Sequence, residues 1–184
     1  MNKLSPQKYI ITKGRNLPFN ECYINNNWEE TGMATIAISK NMPSGKIIIG
    51  TYMVDVFCLG LKDTFYKFNM DSFEYNEFIE KLNNHPDGLK MCDVSLAHNI
   101  IYGAIDYADE IGFAPHKDFT VSEYLLDPEL ITDGIDEIEF GKDGKPFYVS
   151  GPNDNVQRIK RILEKNVGIG NYDYLAESEQ FDDW

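Results

Sequence analysis

The clearest hydrophobic pattern in the chain predicts two strands joined by a short turn. Residues 33–40 alternate around Ile36 and Ile38, and residues 41–45 supply turn chemistry. Residues 46–61 are rich in β-branched and aromatic side chains and apolar on both faces, which is typical of a strand covered by other elements. We therefore expect a central antiparallel hairpin.

Weaker patterns predict additional parts of the sheet. Short β-like runs at residues 9–12 and 21–24 indicate its beginning. Residues 136–140 and 146–150 flank an Asp-Gly step, which is a strong short-range hairpin signal. Residues 121–126 fit a short helix or a strand equally well.

Helical spacing of apolar residues predicts three amphipathic helices. They cover residues 72–82, a segment that begins at a cap on Asp93 or Ser95 and ends at Gly112, and a last segment from Asn153 or Asp154 to Gly168. The expected fold is α+β, with a mainly antiparallel sheet built from hairpins and packed against two or three amphipathic helices. We predict one domain over residues 1–175 and a mobile acidic tail over residues 176–184.

Composition restricts the class of protein and its partners. The 184 residues are 42% hydrophobic and 13% aromatic, enough for one packed core. Thirty acidic residues against seventeen basic ones give a net charge of −13, which makes nonspecific nucleic-acid binding unfavourable. Residues 1–14 lack the apolar segment of a signal peptide, and no apolar run is long enough to span a membrane. We expect a cytoplasmic protein.

The three cysteines do not form a recognisable motif. Cys22, Cys58 and Cys92 lie about thirty-five residues apart without a C-x-x-C pair, so neither a compact zinc knuckle nor a disulfide framework is predicted. This cysteine usage fits a reducing cytoplasm.

Asp55 is the most unusual residue, because it interrupts an otherwise apolar strand pattern. A buried carboxylate needs a compensating partner. Lys62, His98 and a metal ion are the candidate partners. The structural alternative is that Asp55 accepts hydrogen bonds at the sheet edge or faces water.

A second set of candidates lies on and after the predicted second helix. The 100° step per residue places His98 and Tyr102 in one polar stripe with Asp106 and Asp109. His116 and Asp118 follow this helix. A metal-dependent hydrolase, such as a phosphodiesterase or nuclease, would use histidine and carboxylate groups from separate segments in this way. In that hypothesis the catalytic residues are Asp55, His98, Asp106, His116 and Asp118, and the divalent-metal ligands are Asp55, His98 and His116. The structural alternative is a solvated flank in which His98 bonds to Asp55 or to a backbone carbonyl.

Partner contacts are predicted at two places. The last helix concentrates basic residues in an acidic chain, and Arg158, Arg161 and Lys165 are candidates for binding an acidic partner, although such residues also complement a helix dipole. Trp28 lies in a polar segment and is either a contact anchor or a lid over the core.

Three stretches of the chain resemble a known group of proteins. They are residues 50–63 (GTYMVDVFCLGLKD), residues 97–104 (AHNIIYGA) with 115–119 (PHKDF), and residues 138–146 (IEFGKDGKP). They resemble a widespread, uncharacterised family of bacterial hypothetical proteins, some of which carry a cysteine-rich SEC-C module that this sequence lacks. The resemblance covers most of the chain and implies a discrete bacterial domain, without an assigned activity.

The leading functional hypothesis is a nonenzymatic binding or regulatory module of the bacterial cytoplasm that binds a protein. Signatures for phosphate-binding loops, dinucleotide sites, zinc proteases and nucleophile elbows are absent from the sequence. The alternative is the metal-dependent hydrolase described above. A third hypothesis, an acidic mimic of nucleic acid, would need a spaced stripe of Asp and Glu, which the sequence does not show.

Overall fold

The centre of the fold is a five-stranded antiparallel sheet, seen in a computed structural model that describes residues 4–175 apart from the side chains of residues 135 and 136. The strand order is β4-β3-β2-β1-β5. The strands are β1 (Phe19–Asn25), β2 (Met33–Asn41), β3 (Ile47–Asp55), β4 (Gly60–Met70) and β5 (Leu89–Met91). The helices are α1 (Pro6–Lys13), α2 (Trp28–Thr31), α3 (Ser72–Asn83), α4 (Val94–Glu110), α5 (Phe119–Ser122) and α6 (Val156–Asn166). The predicted α+β class with a mainly antiparallel sheet is confirmed.

The predicted central hairpin is formed by β2 and β3, which pair from Met33 opposite Asp55 to Asn41 opposite Ile47. Its second arm is shorter than expected, because the chain turns after Asp55 and returns as β4. Gly60 begins β4 with a φ of +66°, and a Cβ there would lie 2.6 Å from the Cβ of Ala108. Only glycine permits this conformation and this close approach of α4 without strain.

Helix α4 covers most of one face of the sheet, which we call the first face. Asp93 caps it by accepting a hydrogen bond from the Ser95 amide. Its buried stripe, which includes Ile100 and Ile101, packs against even-numbered strand residues such as Ile36. Helices α1 and α5 cover the end of the same face.

Helix α3 covers only part of the second face. Asp71 and Glu74 form a capping box at its start. Tyr75, Phe78, Ile79 and Leu82 pack over the end of the sheet that carries Ala37, Ile47 and Ile49. At the C-terminal end of α3, residues of this face and residues 85–89 enclose the cavity described below.

The C-terminal part of the described chain differs from the prediction. Residues 136–140 form no strand, and the Asp-Gly turn closes only an isolated bridge between Lys142 and Lys145. The predicted hairpin over residues 136–150 is therefore wrong. Instead β6 (Phe147–Val149) pairs in parallel with β7 (Asp173–Leu175), and α6 packs beside them.

The structure also decides the secondary structure of two shorter segments. Residues 9–12 belong to α1 and not to a strand, because Ser5 caps the helix and Pro6 occupies its first turn. Residues 121–125 are helical, in α5 and the following 3₁₀ turn, and Leu126 after them is extended. The predicted tail over residues 176–184 lies outside the described residues. No helix between residues 4 and 175 has both the length and the apolar character needed to cross a membrane.

Candidate functional site

Asp55 closes the turn between β3 and β4. Its Oδ1 accepts hydrogen bonds of 3.0 Å from the backbone amides of Phe57 and Cys58. Burial raises the pKa of Asp55 to about 6, although hydrogen bonds from the turn oppose this shift. The charge of Lys62, a predicted partner, also lowers this pKa, but the ion pair of Lys62 is with Asp154 at 3.1 Å. These contacts support the structural alternative for Asp55.

His98 is a buried residue of α4, and both of its ring nitrogens contact the backbone. Nδ1 lies 2.6 Å from the carbonyl oxygen of Val94, and Nε2 accepts a 2.9 Å hydrogen bond from the Asp127 amide. Since an N–H must face the carbonyl and a lone pair must face the amide, this pattern selects the neutral Nδ1–H tautomer. Burial also lowers the pKa of His98. Nδ1 therefore carries the proton, and the lone pair of Nε2 faces the Asp127 amide, so neither nitrogen is free to bind a metal.

The other predicted catalytic residues are not assembled around Asp55 and His98. Asp106 is exposed on α4. His116 lies 4.0 Å from Asp118, and none of the contacts of Asp55 or His98 given above involves either residue. Among the His, Cys, Asp and Glu side chains that the structure describes, no three are grouped so that they could hold a metal ion. The predicted metal centre at Asp55, His98 and His116 has no support in this part of the chain.

Trp28 begins α2 and packs in the main core cluster, with only 6% of its surface exposed. This burial favours the interpretation of Trp28 as a lid over the core. The alternative, a contact anchor for a partner, gains no support from this burial, because little of the Trp28 side chain is exposed.

The predicted basic partner surface is exposed on α6. Arg158, Arg161 and Lys165 all face solvent. Arg158 also lines a cleft of about 440 Å³ together with His116. Two other residues that line this cleft, Lys62 and Asp154, pair with each other, and none of the lining residues has a buried polar atom without a partner. The acidic-partner contact stays a prediction.

A cavity of about 250 Å³ lies where α3 leaves the second face of the sheet, and we call it the α3 cavity. Its floor is formed by neighbouring strands and includes Thr35, Thr51, Met53 and Phe65. Its roof comes from the end of α3 and the segment leading into β5, and includes Leu82, His85, Asp87 and Leu89.

The roof is held in place by the way the chain leaves α3. Asn83 accepts a 2.8 Å hydrogen bond from the Leu89 amide through its side-chain oxygen, which closes the loop over residues 84–88. Asn25 on β1 pairs with Leu89 on β5 and so fixes the far side of the cavity to the sheet. The cavity is therefore built from regular elements at three sides and a short, anchored loop at the fourth.

Thr51 is the distinctive polar residue of the floor. It is 5% exposed, and among the side chains that the structure describes its hydroxyl is the one buried polar atom without a hydrogen-bond partner. Leaving such a group unsatisfied costs about 1–3 kcal/mol. Thr64, a buried threonine on the neighbouring strand, shows the usual arrangement and donates a 2.8 Å hydrogen bond to Ser122.

The rim of the α3 cavity carries both signs of charge. Nδ1 of His85 lies 3.2 Å from Asp87, and Asp87 also accepts a 2.8 Å hydrogen bond from the Asn27 side chain. Lys81 and Asp63 are exposed lining residues. Apolar walls, one unpaired hydroxyl at the floor and a mixed-charge rim can hold a small molecule that has an apolar body and a polar group.

Sequence reasoning missed the α3 cavity for a physical reason. Threonine favours strands, so Thr51 did not stand out within its apolar run as Asp55 did. A usable signal is the alternation itself, because Thr35, Thr51 and Met53 occupy the same face of the predicted hairpin. That alternation could not show that α3 stops short of them.

Searches with the chain found no matching family model, no similar curated protein and no similar solved structure. The resemblance to the bacterial family with SEC-C members therefore stays a prediction.

Proposed function

We propose that the protein is a binding module for a small organic ligand, and that the α3 cavity is its binding site. The observation that carries the proposal is the unpartnered hydroxyl of Thr51 on the cavity floor. A buried hydroxyl without a partner weakens the ligand-free fold, and a ligand that supplies the missing hydrogen bond recovers that loss on binding.

The dimensions and lining of the cavity indicate the class of ligand. A volume of about 250 Å³ accommodates on the order of ten non-hydrogen atoms, taking the volume of a water molecule as the unit. Met53, Phe65, Leu82 and Leu89 provide apolar contact area for a ring. A hydroxyl can donate and accept, so an alcohol or a carboxamide is the matching polar group. The lining carries two carboxylates, Asp63 and Asp87, against one lysine, Lys81, so a neutral or cationic ligand is preferred over an anion.

This proposal keeps the hypothesis of a binding module in a bacterial cytoplasm, but it assigns a small ligand where the sequence hypothesis had a protein partner. The hydrolase hypothesis is less well supported. Asp55 is occupied by turn amides and His98 by two backbone groups, so neither is available for acid–base or metal chemistry in the described arrangement.

The test uses three ring compounds that differ in the group they offer to Thr51. Benzamide and benzyl alcohol each carry a hydrogen-bonding group, whereas toluene has the same ring without one. Titration of ¹⁵N-labelled protein should show shifts in the amide signals of Thr51, Leu82 and Gly88, with dissociation constants on the order of 1 mM for ligands of this size. Benzamide and benzyl alcohol should bind more tightly than toluene.

The variant Thr51→Val provides the matched control, because valine keeps the shape of the side chain and removes the hydroxyl. It should weaken benzamide binding about tenfold and leave toluene binding unchanged or stronger. Equal effects on benzamide and toluene, or signal changes confined to residues outside the cavity, would refute the proposal.

A further inference from the structure

Two cysteines that are 70 positions apart in the sequence are neighbours in the fold. The Sγ atoms of Cys22 and Cys92 are separated by 3.3 Å. Cys22 lies on β1, and Cys92 directly follows β5 and donates a 3.1 Å backbone hydrogen bond to the carbonyl of Cys22. The sequence spacing gave no indication of this pair, because the contact depends on β5 returning beside β1.

The backbone geometry at this position permits a disulfide. The pairing of Tyr23 with Met91 places Cys22 directly opposite Cys92 in an antiparallel pair. Opposite residues in such a pair have Cα atoms about 4.5–5.5 Å apart, within the range of about 4.4–6.8 Å found for disulfides. The sulfur atoms need to approach by roughly 1.2 Å to reach bonding distance.

The two thiols differ in a way that suits stepwise oxidation. Cys22 is fully buried, whereas Cys92 is partly exposed at the end of the short edge strand. The hydrogen bond between them lowers the pKa of Cys92, and that bond together with burial raises the pKa of Cys22. Cys92 is therefore the thiol that ionises first and meets an oxidant in solution.

We propose that Cys22 and Cys92 form a reversible disulfide site that responds to peroxide and to the glutathione couple. The Cys92 thiolate attacks one oxygen of hydrogen peroxide, the O–O bond breaks, and hydroxide leaves and is protonated to water. The product is a sulfenic acid on Cys92. The sulfur of Cys22 then attacks the sulfenic sulfur, and the hydroxyl leaves as a second water with the Cys22 proton. Two thiols and one peroxide thus give one disulfide and two waters. A pair at a short edge strand is open to thiolate attack, which favours reduction by glutathione.

The third cysteine supplies an internal control. Cys58 is fully buried in the turn between β3 and β4 and should remain a thiol. Purified protein is incubated with hydrogen peroxide or with defined ratios of glutathione to glutathione disulfide, denatured, alkylated and analysed by mass spectrometry. The number of alkylated thiols should fall from three to one, with Cys22 and Cys92 in one cross-linked pair of peptides, and excess glutathione should restore three.

The variants Cys92→Ser and Cys58→Ser separate this site from general thiol oxidation. Cys92→Ser should lose the internal disulfide, whereas Cys58→Ser should form it at the same glutathione ratio as the parent chain. In the oxidised parent chain the amides of Leu89 to Met91 should exchange with solvent more slowly, because the bond fixes β5 to β1. Three alkylated cysteines at every ratio, a cross-link through Cys58, or a bond that glutathione cannot reduce would each overturn the proposal.

Discussion

The unpaired hydroxyl of Thr51 leads to a prediction with an unusual sign: removing it should stabilise the ligand-free protein. Thr51→Val relieves the desolvation cost of the unsatisfied hydroxyl, about 1–3 kcal/mol, and adds a buried methyl group in its place. Most buried substitutions destabilise a protein. For a domain of this size a gain of about 1 kcal/mol raises the midpoint of thermal unfolding by roughly 2–4 °C.

Thr64→Val is the matched control for this change. It makes the same substitution on the neighbouring strand, where the threonine hydroxyl donates to Ser122 at 2.8 Å. Losing that hydrogen bond should cost about 1 kcal/mol, and more if Ser122 is left without a partner. Urea unfolding followed by circular dichroism should therefore show opposite shifts for the two variants. A loss of stability in Thr51→Val as large as that in Thr64→Val would contradict this prediction, since it would mean that Thr51 already has a partner, such as a bound water.

Three further predictions concern buried ionisable groups. The pKa of Asp55 is raised to about 6, so the folded state binds the carboxyl proton more tightly than the unfolded state does. The contribution of Asp55 to stability therefore falls by about 3 kcal/mol as the pH rises from about 4 to 6. Asp55→Asn keeps an acceptor for the turn amides and should remove this fall in urea unfolding at a series of pH values; an unchanged slope would contradict the account. His98 has the opposite sign, because its lowered pKa makes stability decrease as the pH falls below the ordinary value of about 6.5. An NMR titration should show the Nδ1–H tautomer and protonation below that value, and protonation at or above it would contradict the buried arrangement. Lys40 is 6% exposed and donates to the carbonyl oxygens of Gly14 and Arg15 at 3.1 and 2.8 Å, so Lys40→Met should lower the free energy of unfolding by about 2–4 kcal/mol. An unfolding midpoint equal to that of the parent chain would show that these carbonyls do not depend on Lys40.

Local patterns were enough to predict the elements that carry their own signals. The hairpin of β2 and β3 has alternation and a turn between its arms, and α4 has both a cap and a long apolar stripe. The segment at residues 9–12 was misassigned because its short apolar run resembles a strand, while the decisive signal, Ser5 followed by Pro6, lies before the run. Strand β7 was missed because its three residues pair with β6 across the whole of α6.

The candidate site depended on information that the sequence pattern does not contain. Asp55 was conspicuous because it is charged, yet its partners are amides only two and three residues away. Thr51 was inconspicuous, yet its lack of a partner can be recognised only when every neighbour in the fold is known. The pair of Cys22 and Cys92 likewise arises from the pairing of distant strands. Local chemistry was therefore predictable, whereas contacts set by the end of α3 and the return of β5 were not.

The most direct test of a ligand site in the α3 cavity is the measurement of intermolecular nuclear Overhauser effects between benzamide and the methyl groups of the protein. We expect effects from the benzamide ring to the methyls of Thr51, Met53, Leu82 and Leu89, which line the cavity. Thr51→Val should weaken these effects at equal ligand concentration. The expected dissociation constant for a ligand of this size is on the order of 1 mM. The assignment of this cavity as the binding site would be contradicted by effects confined to methyl groups elsewhere, or by no effects at ligand concentrations well above that value.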